Sequence, residues 1–386
     1  MWKSVIFSCL LAFACLPAGV FAAEVGDLYE AEARVFSQQK SERTLAMKAA
    51  LAEVLVKVSG RSVVLSVDEV KKVLRNPAKL LRLYRYRELT DMEGDAYRAE
   101  QSLHPEPKAD GTPQMISFSF DKVAVDKLLR ENNLPVWGAT RPTMLVWLAV
   151  QDEQTRYLLG GDSGHSLNQA LDSEARRRGL VLLQPLMDLE DRRALRFADV
   201  WAGFTEPVLR ASARYGSESV LLGRIQPGLG DAWQAQWTVL EGRTRVSWEV
   251  LGDSQEQVIS KGVFGATELL AARYAPISGS LQAGLLSIMV MGVQDLGDYA
   301  RVVSYLESLQ QVSQMQLEQV EPGKAYFALK IEGAAEGVAK TIALGNVLQV
   351  SSNADGPSDG GASAEATGAA TSTANSGPKQ AYQLLP

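Results

Sequence analysis

The chain reads as an α+β / α/β protein built from small modules in tandem, and three observations predict it. Short strand-like runs alternate with helical ones along most of its 386 residues. The order β-α-β-β-α occurs near each end, as in a ferredoxin-like plait. Between the two lies a stretch in which nearly all-apolar strands alternate with helices and then give way to a hairpin, which predicts a mixed-sheet α/β sandwich. At about 100–200 residues per domain, the length predicts two or three such units, each able to bury its own core.

The first 23 residues precede these modules. Met1-Trp2-Lys3 is a short basic start, Val5 to Leu16 is apolar, and the small residues from Pro17 to Ala23 close the run. This predicts a secretory signal peptide cut after Ala22 or Ala23. The apolar run is shorter than the about 20 residues a spanning helix needs. Ala12-Phe13-Ala14 before Cys15 departs from a lipobox, so the expected product is soluble in the periplasm rather than lipid-anchored. Both cysteines, Cys9 and Cys15, lie in this leader. The mature chain would then carry no thiol, which excludes disulfides, thiol catalysis and thiolate metal sites. Losing Lys3 with the leader changes the formal charge from −6 to −7. No strong positive field suggests nucleic acid.

The first module is expected over residues 24–138. Tyr29 to Phe36 alternates as a strand. Ser41 is a plausible cap for a helix that runs to Val58 and stops at Ser59-Gly60. A short helix follows near Asp68 to Leu74, then strands at Leu83–Leu89 and Met115–Phe120. Asp121 should cap a helix to Asn132-Asn133 before Pro135.

The second module is expected over residues 141–275. Thr143 to Val150 is apolar throughout, as a strand covered on both faces would be. Ser166 to Arg178 should be a helix ended by Gly179. A strand at Leu180–Leu183, a helix at Phe204–Tyr215 and an apolar strand at Ser219–Ile225 follow. Ala232–Leu240 and Arg245–Val250 pair as a hairpin around Glu241-Gly242, and Glu268 to Tyr274 closes the module as a helix.

The third module is expected over residues 285–350. It has a strand at Ser287–Val293, a helix at Asp295–Leu309, strands at Val312–Val320 and Ala325–Ile331, and a helix at Ala334–Leu344; Val347–Val350 is a candidate last strand. Residues 351–380 are mostly Ser, Ala, Gly and Thr, the composition of a disordered linker. Residues 381–386 are apolar again. They read either as an edge strand returning to the third module or as a frayed tail. The apolar stretch Leu281–Val293 is interrupted by Gln282, Gly284, Ser287 and Gly292 and reads as a buried strand, so no transmembrane span is expected.

Two resemblances accompany these elements. Arg43 to Gly60, Ala213 to Ile225 with the Trp-rich hairpin after it, and Gly292 to Leu296 leading to Asp298-Tyr299-Ala300 resemble a family of secreted proteobacterial proteins, domain-of-unknown-function family 2066 (DUF2066). That resemblance implies an envelope protein and no known reaction. Leu222-Gly223-Arg224-Ile225-Gln226-Pro227 and the hairpin also resemble the N-terminal domain of the periplasmic Tol–Pal translocation protein, although nothing suggests the β-propeller that follows there.

The chemistry on offer is sparse. Gly161-Asp162-Ser163-Gly164-His165 has the surroundings of a serine nucleophile, but a triad also needs a base and a buried acid. The only histidines are His104, in a proline-flanked loop, and His165, two residues from Ser163. With so few histidines and no mature cysteine, the common zinc sets are excluded. Asp188, Glu190 and Asp191 could hold calcium, but Arg192 and Arg193 follow directly, and a loop of paired surface charges is the simpler reading. No phosphate loop is present, so no cofactor is expected.

Two binding features remain. Arg82, Tyr84, Arg85, Tyr86 and Arg87 form a basic, aromatic run with Arg75 and Lys79 nearby; it is either a solvated strand face or a contact for an anionic partner. Trp233, Trp237 and Trp248 stand on the hairpin, either as core or as an exposed contact face. The function expected is a non-catalytic binding or assembly protein of the cell envelope that docks an envelope protein or glycan. The alternatives are a serine hydrolase using Ser163 and a purely structural spacer.

Overall fold

The computed structural model describes residues 23–103, 111–152, 154–161, 165–242, 244–275, 283–309, 311–332, 335–345, 347–351 and 380–385. The expected leader, apart from its last residue, lies outside them with both cysteines. So do His104, Ser163 and most of the 351–380 stretch.

The first unit contains β1 (Ala23–Glu24), β2 (Glu30–Val35), α1 (Lys40–Ser59), α2 (Asp68–Leu74), β3 (Leu81–Glu88), α3 (Asp91–Leu103), β4 (Gln114–Phe120) and α4 (Lys122–Glu131). Its antiparallel sheet has the order β2-β4-β3, so β3 is an edge strand. Leu51, Val54, Leu55 and Val58 of α1 and Val125 and Leu129 of α4 bury Ile116, Phe118 and Phe120 on one sheet face. Asp121 caps α4 as expected, accepting from Ala124 N at 2.9 Å. Ser41 does not cap α1. The helix starts at Lys40 with Gln39 in the cap position, two residues earlier, and Glu42 reaches back to accept from Phe36 N and the Ser37 hydroxyl. At the other end Gly60 takes the left-handed conformation, φ 68°, that the Ser-Gly stop predicts.

The chain crosses through β5 (Thr140–Arg141), antiparallel to β1, into β6 (Thr143–Gln151). There follow β7 (Arg156–Leu158), α5 (Ser166–Arg178), β8 (Val181–Leu183), α6 (Leu189–Ala194), α7 (Phe197–Ala202), α8 (Thr205–Ser212), β9 (Ser219–Pro227), β10 (Trp233–Glu241), β11 (Thr244–Gly252) and α9 (Gln255–Tyr274). The sheet order is β11-β10-β9-β6-β7, with β8 parallel to the start of β6. Strands β6 and β9 are parallel, and β9-β10-β11 is an antiparallel meander. The apolar run in β6 has the cause expected of it. Met144, Val146, Leu148 and Val150 pack under α5 and α9, while Leu145, Trp147 and Ala149 face Val200, Val208 and Ala211 on the opposite side.

The third sheet contains β12 (Ala283–Val293), β13 (Val312–Glu321), β14 (Gly323–Glu332), β15 (Leu348–Val350) and β16 (Gln380–Leu384), with α10 (Leu296–Ser308) and α11 (Ala335–Leu344) supplying helical cover. Its order is β13-β14-β12-β16-β15. The returning C-terminal segment does pair here, but inside the sheet. It runs parallel to β12 and antiparallel to β15, and β15 forms the edge. Burial of Tyr382 and Leu384 in the core explains why an apolar end follows a polar linker.

Helix α9 is much longer than the 268–274 segment expected. Gly262 and Gly265 lie within α9, and both are packing positions. A Cβ on Gly262 would run into the Trp237 ring, and one on Gly265 would lie 2.7 Å from Trp248. Helix α3 is absent from the sequence reading altogether. It is polar, and it is tied to the sheet by Glu93, which accepts from Arg87, and by Tyr97, which lies against Phe36 and under the Arg34 guanidinium.

Candidate functional site

Two of the three hairpin tryptophans, Trp237 and Trp248, serve the core. Trp237 and Trp248 are cross-strand partners, and Trp233 lies on the same face, all toward α9. Trp237 is fully buried, and its Nε1 donates to the Val258 carbonyl at 3.2 Å. Gly223 and Gly262 leave room for its ring. Trp248 is half-buried against the same core. Neither ring can serve as an exposed anchor. Trp233 differs, because its partly exposed ring lines a cleft at the end of the hairpin.

The basic run divides by the pleat of β3. Tyr84 pairs with Phe118 and Tyr86 with Ile116, toward the helices, while Arg85 pairs with Ser117 and Arg87 with Met115, toward the other face. Tyr86 is half-buried against the first core. Arg87 is consumed: it donates to Glu93 at 2.7 Å and to Glu32 at 2.6 Å. These carboxylates hold its guanidinium well above the usual range, and Arg87 in turn draws the Glu93 carboxyl down to about 2. Arg82 and Arg85 are exposed and have no ion-pair partner among the described residues. Tyr84 is 39% exposed and lies under the Arg43 guanidinium, 5.3 Å from its ring. Arg82, Leu83, Tyr84 and Arg85 border a hollow of about 270 Å³ together with Ser117, Ser119 and the exposed Glu30. No described strand pairs with β3 on its far side.

The acidic group at Asp188, Glu190 and Asp191 is neutralised from a distance, and not by the adjacent Arg192 and Arg193. Arg214 donates to Asp188 at 2.8 and 2.9 Å and to Asp191 at 3.0 Å. Asp191 is fully buried and also accepts from Met187 N and the Tyr215 hydroxyl. Arg214 pulls Asp188 down to about 2, and burial together with Asp191 pushes Tyr215 up to about 12. With its oxygens so occupied, the cluster has little to give a calcium ion. Among the described residues, no group of three or more His, Cys, Asp or Glu could hold a metal.

His165 caps α5. Its Nδ1 accepts from Leu167 N at 3.2 Å, and its Nε2 lies 3.2 Å from the Tyr157 hydroxyl. Both ring nitrogens therefore have partners, neither of them a carboxylate. Ser163 lies outside the described residues.

Two features escaped the sequence reading. One is a polar cleft where β6 and β9 end. The other is Arg141, fully buried, with its guanidinium 4.1 Å from the Trp137 ring. It donates to five carbonyls, those of Lys57, Trp137, Gly138, Arg178 and Gly179. One cation thus caps the C-terminal ends of α1 and α5 together, where the helix dipoles are negative. The only sequence signal was an arginine between two apolar stretches.

Comparison with known proteins assigns part of the chain. Residues 22–138 match the family model of a domain of unknown function, DUF8605. This is a different family from DUF2066, so the expected membership is corrected, and the Tol–Pal-like reading of the middle module also finds no support. The motif behind that reading has a local cause: Gly223 is small because a Cβ there would lie 2.5 Å from the Trp237 ring, a demand of the hairpin's own packing. No curated protein matches the chain. Among the described residues, no helix is long and apolar enough to cross a membrane.

Proposed function

We propose that this chain is an exported, non-catalytic binding or assembly protein of the cell envelope, and that it docks an extended, acidic protein segment along the edge of β3. The observation that carries this reading is the uncommitted pair Arg82 and Arg85 on an edge strand whose neighbour Arg87 is already neutralised. An edge strand offers a row of main-chain donors and acceptors, and an added strand takes its affinity from them and its specificity from alternate side chains. Beside Arg85 the incoming strand would place an acidic residue, and beside Tyr84 an apolar one. Exposed ion pairs contribute only about 0.2–1 kcal/mol each, so the arginines select the partner more than they hold it. The leader at 1–23 supports export, and the packing of Trp237 and Trp248 into the core moves the protein-docking face away from the middle of the hairpin.

The test is binding of a labelled ten-residue peptide alternating Glu and Ile, followed by fluorescence anisotropy. Saturable binding is expected, weakened by salt and lost in Arg82→Glu/Arg85→Glu. A Lys-Ile counterpart should not bind. Equal binding of both peptides, or no effect of the double variant, would overturn the proposal. If the arginines only guard the edge against self-pairing, Arg82→Ala/Arg85→Ala would aggregate and the wild type would bind neither peptide.

A further inference from the structure

We infer that the cleft at the carboxyl ends of β6 and β9 is a binding site for a short oligosaccharide of pyranose units. It stands apart from β3 and independently of the strand-addition reading. The parallel pairing of Val150 with Ile225 brings Gln151 beside Gln226 as the two strands end. Beyond the strand ends, Asp152, Gln154 and Thr155 stand on one side and residues 228–232 on the other. In open α/β sheets such a crevice beyond the carboxyl ends of parallel strands is where ligands settle. Two hollows of about 630 and 410 Å³ meet here and share Asp152, Gln154 and Pro227, within the size range of small-molecule sites.

The floor is held in place. The Asp152 carboxylate accepts from Gln154 N at 2.8 Å, Thr155 N at 2.6 Å and the Thr155 hydroxyl at 2.7 Å. Around this fixed turn the side chains of Gln151, Gln154, Gln226, Arg156 and Asp231 have no partner among the described residues. Trp233 packs on the middle core and lines the second hollow.

The lining decides the ligand class. Among the described lining residues one guanidinium, Arg156, stands against two carboxylates, Asp152 and Asp231, and the net negative charge disfavours a phosphate or other polyanion. The amides disfavour an apolar ligand, because each would be buried without a partner. A pyranose suits both halves of the site. Its hydroxyls pair with planar amide and carboxylate groups, and its C–H face lies on an indole.

The test is calorimetry of the full mature chain with chitotetraose and with maltohexaose, alongside tryptophan emission. Saturable binding of at least one sugar is expected, with a shift in emission. Gln226→Ala and Trp233→Leu should each weaken it tenfold or more, and Arg82→Glu/Arg85→Glu should leave it unchanged. Gln226 is a partly exposed strand-end residue, so its variant decides the matter if Trp233→Leu fails to fold. Absence of binding by both sugars at millimolar concentration would overturn the inference, as would binding that survives Gln226→Ala and Gln151→Ala unchanged.

Discussion

The Arg141 guanidinium donates to the main-chain oxygen of Lys57 at 2.8 Å, and through this bond the first α+β unit is fastened to the second. The same side chain reaches Gly179 O at 2.8 Å, at the far end of α5. Burial pushes Arg141 down to about 9, so it stays charged at neutral pH. Close by, Arg177 of α5 joins Glu53 of α1 at 3.1 Å, and Glu268 of α9 accepts from Ser62 N at 2.7 Å. The two units therefore share one helical junction of α1, α5 and α9.

Arg141→Ala should destabilise the protein by on the order of 3–5 kcal/mol, because it orphans buried carbonyls at two helix ends. Arg141→Lys keeps the charge and loses the fork, and should fall between the variant and the wild type. Urea unfolding measured on both variants checks the order.

Gly262→Ala separates packing from propensity. Alanine is the better helix former by about 1 kcal/mol, so propensity alone predicts a gain. The Trp237 ring occupies the space the methyl would need, and a net loss of about 1–3 kcal/mol is expected instead. Combining it with Trp237→Phe should recover part of the loss; additive losses in a double-mutant cycle would show that the two residues do not interlock.

Asp188 gives a pH signature. Its folded pKa is pushed from the ordinary 3.8 to about 2 by Arg214 and by the Asp191 amide. The folded state binds the proton less readily than the unfolded one, so this contribution is full above pH 4 and vanishes as pH falls through 2. Melting temperatures of wild type and Asp188→Asn should therefore differ at pH 5 and converge toward pH 2.

Residues 1–23, fused to alkaline phosphatase stripped of its own leader, should make the enzyme active outside the bacterial cytoplasm. Activity equal to the leaderless control would remove the envelope setting from the proposed function.

What could be read from the sequence was what local pattern determines. The apolar run in β6, the caps at Asp121 and Gly179, and the strand-like Tyr382–Leu384 each show as a pattern within a few consecutive residues, even where distant elements cover them. The failures have distant causes. The first part of α9 was missed, and the tryptophan partners that seat its Gly262 and Gly265 lie on the hairpin. The apolar tail read as either an edge strand or a frayed end, because only the sheet shows that β15 lies outside it. The basic run in β3 was visible, but its neutralised member was not, since Glu32 is 55 residues from Arg87. The cleft was invisible because Gln151 and Gln226 meet only through the parallel pairing of β6 with β9.

Hydrogen exchange of the full chain, with and without the alternating Glu-Ile peptide, tests the docking edge most directly. Strand addition predicts that amides in Leu81–Glu88 slow their exchange on adding the peptide, and that Arg82→Glu/Arg85→Glu abolishes the effect. Unchanged exchange in β3 under saturating peptide, or protection confined to β11 or β13, would contradict it.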